Sequence, residues 1–450
     1  MIAPARRAAY DVLRAVSAGT RDLPSALAAS RDALRDPRDR ALAGEIAIGS
    51  LRWRGALDAM IAKLARRPIN RLDAEVVDIL RLALYQLWHL ARVPPSAVVN
   101  DAVELTRAAR RGSAAALVNA ALRAFGRTTP EALLPAPDRS AEYLSVVGSH
   151  PRWLVERWIA RVGFEAAERW TRFNNSAAPL TLRVNTLRTT TERLRSDLRA
   201  YGVESEPAAH APDALVVREG NPLSAPQFAA GECLVQDEGS QLVAHMAGAR
   251  PGERILDSCA SPGGKTALMS FEAGGPSGIV AADVRARRVA LLRETLRRAR
   301  VDAPIVQLDL RNRPPFLPVF DCVLVDAPCS GLGTVRRDPD IKWRRTEADL
   351  APLAAAQREL LGHAAAAVRR AGRLVYATCS SEPEENEQVV DAFLQANGAF
   401  APAGRGLLEA LPRWGALAPL CDDGGRLRTL PHAHGLESFF AAVLVKANAV

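Results

Sequence analysis

Two cysteines stand where a thiol can do chemistry. Cys329 follows the apolar run DCVLVDAP, three residues after Asp326, and Cys379 follows GRLVYAT. A thiolate is a strong nucleophile when it is partly exposed and beside polarising groups. A lone buried cysteine is more commonly a small apolar filler, the reading for Cys322 inside its run and for Cys259 taken alone. Two cysteines closing successive runs, one near an acid, fit a nucleophilic site better. Another run, ERIL, ends in Asp257-Ser258-Cys259-Ala260-Ser261-Pro262-Gly263-Gly264-Lys265-Thr266 and leads into a helical segment. Paired glycines there let backbone amides approach a ligand at a helix N-terminus.

Three ligand classes compete for such a loop. A phosphate loop of the form GxxxxGK[ST] requires glycine at 259, which is cysteine, and the dinucleotide fingerprint GxGxxG is absent. S-adenosyl-L-methionine remains, and its ribose hydroxyls need a carboxylate. Asp283 ends the next run, 19 residues beyond Gly264, close to the spacing of about 20 expected of a ribose-binding acid. Asp309 ends the third run, placed to approach the adenine or the ribose edge. An aspartate at a strand end is commonly a helix cap, but several behind one glycine loop fit capping poorly. A methyltransferase needs a thiol when its target carbon is a weak nucleophile, as carbon 5 of cytosine is. A thiolate adding at carbon 6 yields an enamine that pushes electron density onto carbon 5. An acid near N3, here Asp326, stabilises the adduct, and a base then removes the carbon-5 proton so that the thiol leaves. An adenine or guanine N-methyltransferase has no use for two cysteines and an aspartate around one pocket.

Short apolar runs alternating with helix-length segments after residue 250 predict a doubly wound parallel sheet, which binds ligands beyond the carboxyl ends of its strands. Residues 1–130 read instead as all helix. In DAEVVDILRLALYQLWHLARV the apolar positions Val77, Leu80, Leu84, Leu87 and Leu90 recur at spacings of three and four. Pro94-Pro95-Ser96 breaks that pattern and starts a further helix, closed by Arg110-Arg111-Gly112. Residues 131–145 read as a linker. Residues 146–250 combine the amphipathic HPRWLVERWIARVGFEAAERWTRF, the strand-like TLRVNT and the helical TTERLRSDLRAYG. They predict a small α+β module, from whose strand Arg183 and Asn185 either contact RNA or face solvent. The expected architecture is multidomain, with an all-α bundle at 1–130, this middle module at 146–250 and a Rossmann-like α/β domain at 251–450.

A chain of 450 residues exceeds one ordinary domain at roughly 150 residues each. Its 48% hydrophobic and 24% charged fractions exclude wholesale disorder. No apolar stretch approaches ~18 residues, which argues against a membrane span, and the N-terminus lacks a secretory pattern. The cysteines at 233, 259, 322, 329, 379 and 421 include no CxxC pair, so reduced cytoplasmic thiols are expected rather than disulfides or a metal site. The net charge of +9 is uneven: residues 1–130 carry 21 basic and 12 acidic side chains, and residues 131–450 carry 38 of each. A basic helical module is an electrostatic footprint for a polyanion such as nucleic acid; a solvated arginine-rich surface is the plainer alternative.

DSCASPGGKT, VDAPCSGLGTVRRDPDIKW and YATCSSEPEENE resemble the signature motifs of RNA cytosine-5 methyltransferases. VPPSAVVNDAVEL and VNAALR resemble the NusB-type RNA-binding domain, and HPRWLVERW, LRVNTLRTT and LVQDEGSQLVA resemble the RNA-facing extension of that family. The resemblance covers nearly the whole chain and is to bacterial 16S rRNA (cytosine-5)-methyltransferases of the RsmB/Sun type. It implies S-adenosyl-L-methionine as cofactor, RNA as partner and 5-methylcytosine in 16S rRNA as product; a monomer is the default expectation. Carried over residue by residue, it makes Cys379 the nucleophile and Cys329 the residue that releases the product adduct. Cys259, Ala260, Ser261, Pro262, Gly263, Gly264, Lys265, Asp283, Asp309 and Asp326 match cofactor contacts, with Asp326 also facing the base. Lysine occurs only at 63, 265, 342 and 446, and two of these fall in motifs where a compact ammonium is wanted over a guanidinium. Arg336, Arg337 and Lys342 either hold RNA phosphates or are solvated.

Two departures stand out. Ser261 replaces an alanine of CAAPGGK and adds a hydroxyl. Glu437-Ser438-Phe439-Phe440 replaces DGFF and is expected to be structural, in the last strand pair of the sheet. Two other readings remain: the same chemistry on tRNA, opposed only by the NusB-like front end, and a non-catalytic NusB-like RNA-binding factor, opposed by the intact cysteine pair.

Overall fold

The structure, a computed structural model, describes residues 2–276 and 278–448. It divides into two compact units, Met1–Ala177 with Val335–Glu347, and Ala178–Thr334 with Ala348–Val450. The first is helical, with α1 (Pro4–Ser17), α2 (Leu23–Ala33), α3 (Pro37–Arg52), α4 (Arg54–Ala65), α5 (Ala74–His89), α6 (Pro95–Ala108) and α7 (Ala115–Phe125). The sequence pattern marks a single apolar stripe on α5, yet Val76, Ile79, Leu82 and Ala83 are buried as fully as Val77, Leu80 and Leu84. A helix apolar all round belongs in the interior, and α5 is the centre of this core. Its Asp78 is buried as well, paired with Arg14 at 2.8 Å and Arg81 at 2.9 Å.

The chain continues through α8 (Pro130–Leu133), α9 (Ala141–Val147), α10 (Arg152–Val162) and α11 (Phe164–Asn175). The amphipathic stretch at 150–173 is therefore two helices, separated at Gly163, whose φ of +80° suits a residue without a side chain. Trp158 and Trp170 stack across the pair with centroids 4.7 Å apart. These helices belong to the first compact unit, tied to it by the Gly55 N–H donating to Ser149 Oγ at 2.7 Å.

The second unit starts with an antiparallel sheet of β1 (Leu180–Val184), β2 (Glu204–Pro207), β3 (Ala214–Glu219) and β4 (Cys233–Val235), in the order β2-β3-β1-β4. The helices α12 (Thr191–Ala200), α13 (Pro226–Ala230) and α14 (Glu238–Met246) accompany it. A larger sheet follows: β5 (Ile255–Asp257), α15 (Gly264–Glu272), β6 (Ile279–Asp283), α16 (Ala286–Ala299), β7 (Ile305–Gln307) and β8 (Phe320–Asp326). After Thr334 the chain enters Val335–Glu347, with the one-turn α17 (Ile341–Arg344), and returns for α18 (Leu350–Ala364), β9 (Val368–Thr378) and α19 (Glu387–Ala396). The strands β10 (Phe400–Pro402), β11 (Leu427–Arg428) and β12 (Phe440–Lys446) complete the sheet. Its order is β10-β12-β9-β8-β5-β6-β7, with β9 to β7 parallel and β12 antiparallel to β9. The strand order reverses at β5, which lies between β6 and β8, and ligands bind at such a switch point. Leu256, Val323, Leu324 and Val375 are wholly buried, as strands covered on both faces must be. No helix of the described residues is long and apolar enough to cross a membrane.

Three polar residues assigned to RNA or solvent are in neither place. Arg183 is buried, its Nη1 donating to Pro212 O at 2.7 Å. Asn185 is buried too, its Nδ2 donating to Gly231 O at 2.9 Å and to Ala299 O at 3.1 Å. Lys342 is fully enclosed in the first unit, donating to Arg52 O at 3.0 Å, and burial holds its ammonium well below the usual lysine range. It is no phosphate ligand. Arg336 is half-buried, donating to Ala177 O at 2.6 Å over the Phe173 ring. In each case the carbonyl that captures the side chain comes from a remote stretch of chain. Replacing Asn185 with Ala strands two buried carbonyls and is expected to cost about 1–3 kcal/mol of stability. Denaturant unfolding of the second unit checks this; a loss below about 0.5 kcal/mol would mean that the carbonyls find other donors.

Candidate active site

β5 stops at Asp257, and the turn through Gly263 delivers the chain into α15. Gly263 has φ +112°, and a Cβ there would come within 2.9 Å of Leu292 Cδ1; at Gly264 it would press on the Gln236 amide at 3.3 Å. Both positions favour glycine, which keeps the amides at the start of α15 within reach of a ligand. The turn borders a cavity of about 360 Å³ lined by Asp257, Cys259, Ala260, Ser261, Pro262, Gly264, Lys265 and Asp326, and by Gln236 from the segment before α14.

The acids around this turn differ in how far the protein satisfies them. Asp283, buried at the end of β6, accepts from the Ser261 N–H at 3.2 Å, with Arg288 Nε 3.6 Å away. Asp257 is wholly buried; its Oδ2 accepts from Thr266 Oγ1 at 2.6 Å, and its Oδ1 has no partner among the described residues. Burial pushes the Asp257 carboxyl up to about 7. Both amide atoms of the buried Gln236 are likewise unpaired. Buried polar atoms rarely stay unpaired, so donors and acceptors left open beside a cavity suit a polar ligand. Lys265 Nζ donates to Asp326 Oδ2 at 2.7 Å, 6.0 Å from the centre of the Phe439 ring. Burial works against the ammonium, but the Asp326 carboxylate more than offsets it, and the Lys265 pKa is raised.

β8 and β9 run parallel with Asp326 opposite Ala377, so their following loops leave the same sheet edge. The Cys329 and Cys379 sulfurs lie 3.3 Å apart, and both residues are half-buried. The hydrogen bond to Cys379 and burial together hold the Cys329 thiol well above its usual range. Two thiols this close do not both ionise.

Most of the residues singled out in the sequence thus converge, and Cys322 is the buried filler expected, its thiol pushed up to about 11 by burial. Cys259 lines the cavity while packing on the core behind it. Asp309 stands apart: it falls two residues beyond β7, is not among the cavity-lining residues, and pairs with Arg311 at 2.7 Å. Phe440 pairs in the sheet as expected, while just before it Ser438 N–H donates to Gly333 O at 3.0 Å and the Phe439 ring faces Lys265 Nζ. Sequence reasoning overlooked Gln236 and Glu385. Each lay inside a recognised motif, LVQDEGS and EPEENE, and the available signal was a polar residue beside an apolar run or a short cluster of acids after a cysteine.

A glycine turn after the central strand of a Rossmann-like sheet, an acid ending the next strand and a cavity with open donors and acceptors define an S-adenosyl-L-methionine-dependent methyltransferase. Known proteins agree. Residues 244–445 match the family described as 16S rRNA methyltransferase RsmB/F, residues 3–127 the NusB family, and residues 150–224 the ferredoxin-like domain of RsmF/B-like methyltransferases. The chain is 35% identical over 447 residues to ribosomal RNA small subunit methyltransferase B of Pseudomonas putida, covering 99% of both. It is 34% identical over 412 residues to the probable enzyme of that name from Bacillus subtilis, covering 91% of both. The crystal structure of PH0851 superposes with a TM-score of 0.80 at 26% identity, over 99% of both chains. The chain belongs to the ribosomal RNA small subunit methyltransferase B family, and it is an RNA methyltransferase.

Asp257 has a consequence for pH. Its carboxyl titrates near 4 when unfolded and at about 7 when folded, so between those values the folded state holds a proton that the unfolded state lacks. Stability is therefore full below pH 4 and declines as pH rises to about 7, by up to about 1.4 kcal/mol per unit. Melting wild type and Asp257→Asn side by side from pH 5 to 8 should show wild type losing ground on the variant up to pH 7 and running parallel above it. Parallel curves throughout would mean that Asp257 is ionised in the folded protein.

Proposed function

We propose that the protein methylates carbon 5 of a cytosine in 16S rRNA through a covalent adduct with Cys379. The observation that carries this reading is the 3.3 Å pair of sulfurs at one sheet edge, on strands adjacent to the cofactor turn. The basic bundle at 1–130 engages RNA phosphates, and the target base is unstacked to enter the site. Cys379 adds to carbon 6 while the Lys265–Asp326 pair holds a proton at N3. When bound, S-adenosyl-L-methionine supplies a sulfonium-activated methyl group. Formation of the adduct removes the free Cys379 thiol whose hydrogen bond holds the Cys329 proton, so Cys329 loses that proton to solvent and, as a thiolate, takes the carbon-5 proton of the methylated adduct. The ring double bond reforms, Cys379 leaves as a thiolate, and the N3 proton returns to the Lys265–Asp326 pair.

On the cofactor side, Asp283 is assigned to the ribose hydroxyls and the Cys259–Lys265 turn to the cofactor backbone. Asp309 joins once it releases Arg311. The Gln236 amide and Asp257 face the amino-acid end, whose carboxylate and ammonium need a donor and acceptors together.

Labelled methyl transfer to undermethylated 16S rRNA and to bulk tRNA tests the substrate; label in tRNA alone would keep the chemistry and overturn the RNA assignment. Cys379→Ala should abolish turnover, whereas Cys329→Ala should accumulate a covalent enzyme–RNA adduct on denaturing gels. An adduct from the Cys379 variant instead would reverse the two roles. Gln236→Ala should weaken binding of S-adenosylhomocysteine about tenfold or more and leave methylthioadenosine, which lacks the amino-acid end, within twofold. Equal losses for both ligands would remove Gln236 from that end of the site.

A further inference from the structure

We infer that Glu385 is the positioning residue that holds the two cysteine loops at their working separation. Its carboxylate is wholly buried and accepts four hydrogen bonds. The Ser330 N–H donates at 2.8 Å, the Ser330 and Ser380 hydroxyls each at 2.5 Å, and Gln357 Nε2 at 2.9 Å. Ser330 follows Cys329 and Ser380 follows Cys379, so one carboxylate grips the residue after each thiol. Gln357, from α18, also donates to Pro328 O at 3.0 Å, on the other side of Cys329. The Tyr376 hydroxyl donates to the Glu385 carbonyl at 2.6 Å and anchors the clamp to β9.

The sheet alone does not set the distance between the sulfurs. The paired register of β8 and β9 ends at Asp326 and Ala377, and Ala327 N–H to Ala377 O is the next bond between them. Beyond it the two loops are joined by the Gly333 N–H donating to Cys379 O at 2.9 Å, by the Ser330 and Ser380 hydroxyls 3.2 Å apart, and by the bonds to Glu385, which reach both at once. Among the described residues no lysine, arginine or histidine pairs with Glu385. A buried carboxylate without a cation is tolerable only when donors fill its lone pairs, and three of these four donor bonds come from residues beside a reacting thiol. Such charge-assisted bonds are short and directional, so the carboxylate constrains both loops at once. A displacement of about 1 Å in such a pair costs on the order of a hundredfold in rate.

This inference rests on the reading of Cys329 and Cys379 as the reacting pair, and its test separates the two. Full-length Glu385→Gln is treated with diamide, which takes two electrons and two protons from the thiols to leave a Cys329–Cys379 disulfide and a hydrazine. The rate, followed by mass spectrometry of the joined peptides, reports the sulfur separation without any RNA or cofactor. It should fall about tenfold or more, with kcat reduced on the order of a hundredfold and KM for S-adenosyl-L-methionine within twofold. A disulfide rate within twofold of wild type in a folded variant overturns the inference. Should Glu385→Gln fail to fold, Ser330→Ala and Ser380→Ala each remove one link at lower cost; unchanged oxidation in both overturns it equally. A catalytically active Cys379→Ala would end the adduct chemistry and leave the clamp to be judged by thiol oxidation alone.

Discussion

Neighbouring parallel strands must end on the same edge of a sheet, and the arrangement of the candidate site follows from that constraint. Across the order β9-β8-β5-β6, the strand ends present Cys379, then Asp326 and Cys329, then the glycine turn, then Asp283. Strands lie roughly 4.8 Å apart, so four neighbours span about 14 Å, the scale of a nucleoside joined to an amino acid. A gradient of side-chain chemistry along one edge, from thiols through a lysine–aspartate pair to a buried acid, is a direct projection of strand order. Covered faces keep those strands in place, with Leu256, Leu324 and Val375 wholly enclosed.

The buried acids divide by how their desolvation is compensated. Glu385 is filled by four donors of the protein, and Asp283 by a backbone amide and a nearby guanidinium. Asp257 is half-filled, its second oxygen unpaired next to an equally unpaired Gln236. A carboxylate that the fold completes is a structural fastener; one that the fold leaves incomplete beside a cavity is held for a ligand. The distinction gives the site a rigid side, at the cysteines, and a receptive side, at the glycine turn.

Cys329 and Cys379 illustrate how an unfavourable proximity becomes selective. Two thiols at 3.3 Å do not both ionise, and the hydrogen bond and burial hold the Cys329 thiol well above its usual range. Chemically identical side chains are made unequal by their surroundings alone.

The class of fold and the clustering of most candidate site residues were legible in the sequence, because those residues are contiguous with the elements that carry them. A glycine turn is read together with the strand before it and the helix after it, and a cysteine together with the apolar run that it closes. Local chain geometry then places such residues whatever lies elsewhere. Tertiary structure alone decided the fate of Arg183, Asn185 and Lys342, which the sequence shows as ordinary polar residues and the fold encloses. Their acceptors lie far along the chain, Pro212, Ala299 and Arg52 respectively. The same holds for Glu385, whose partners Ser330 and Gln357 are 55 and 28 residues away, and for the burial of α5 on every face from Val76 to Gln86. Burial and hydrogen-bond satisfaction are properties of groups meeting across the chain, and no local pattern records which groups will meet.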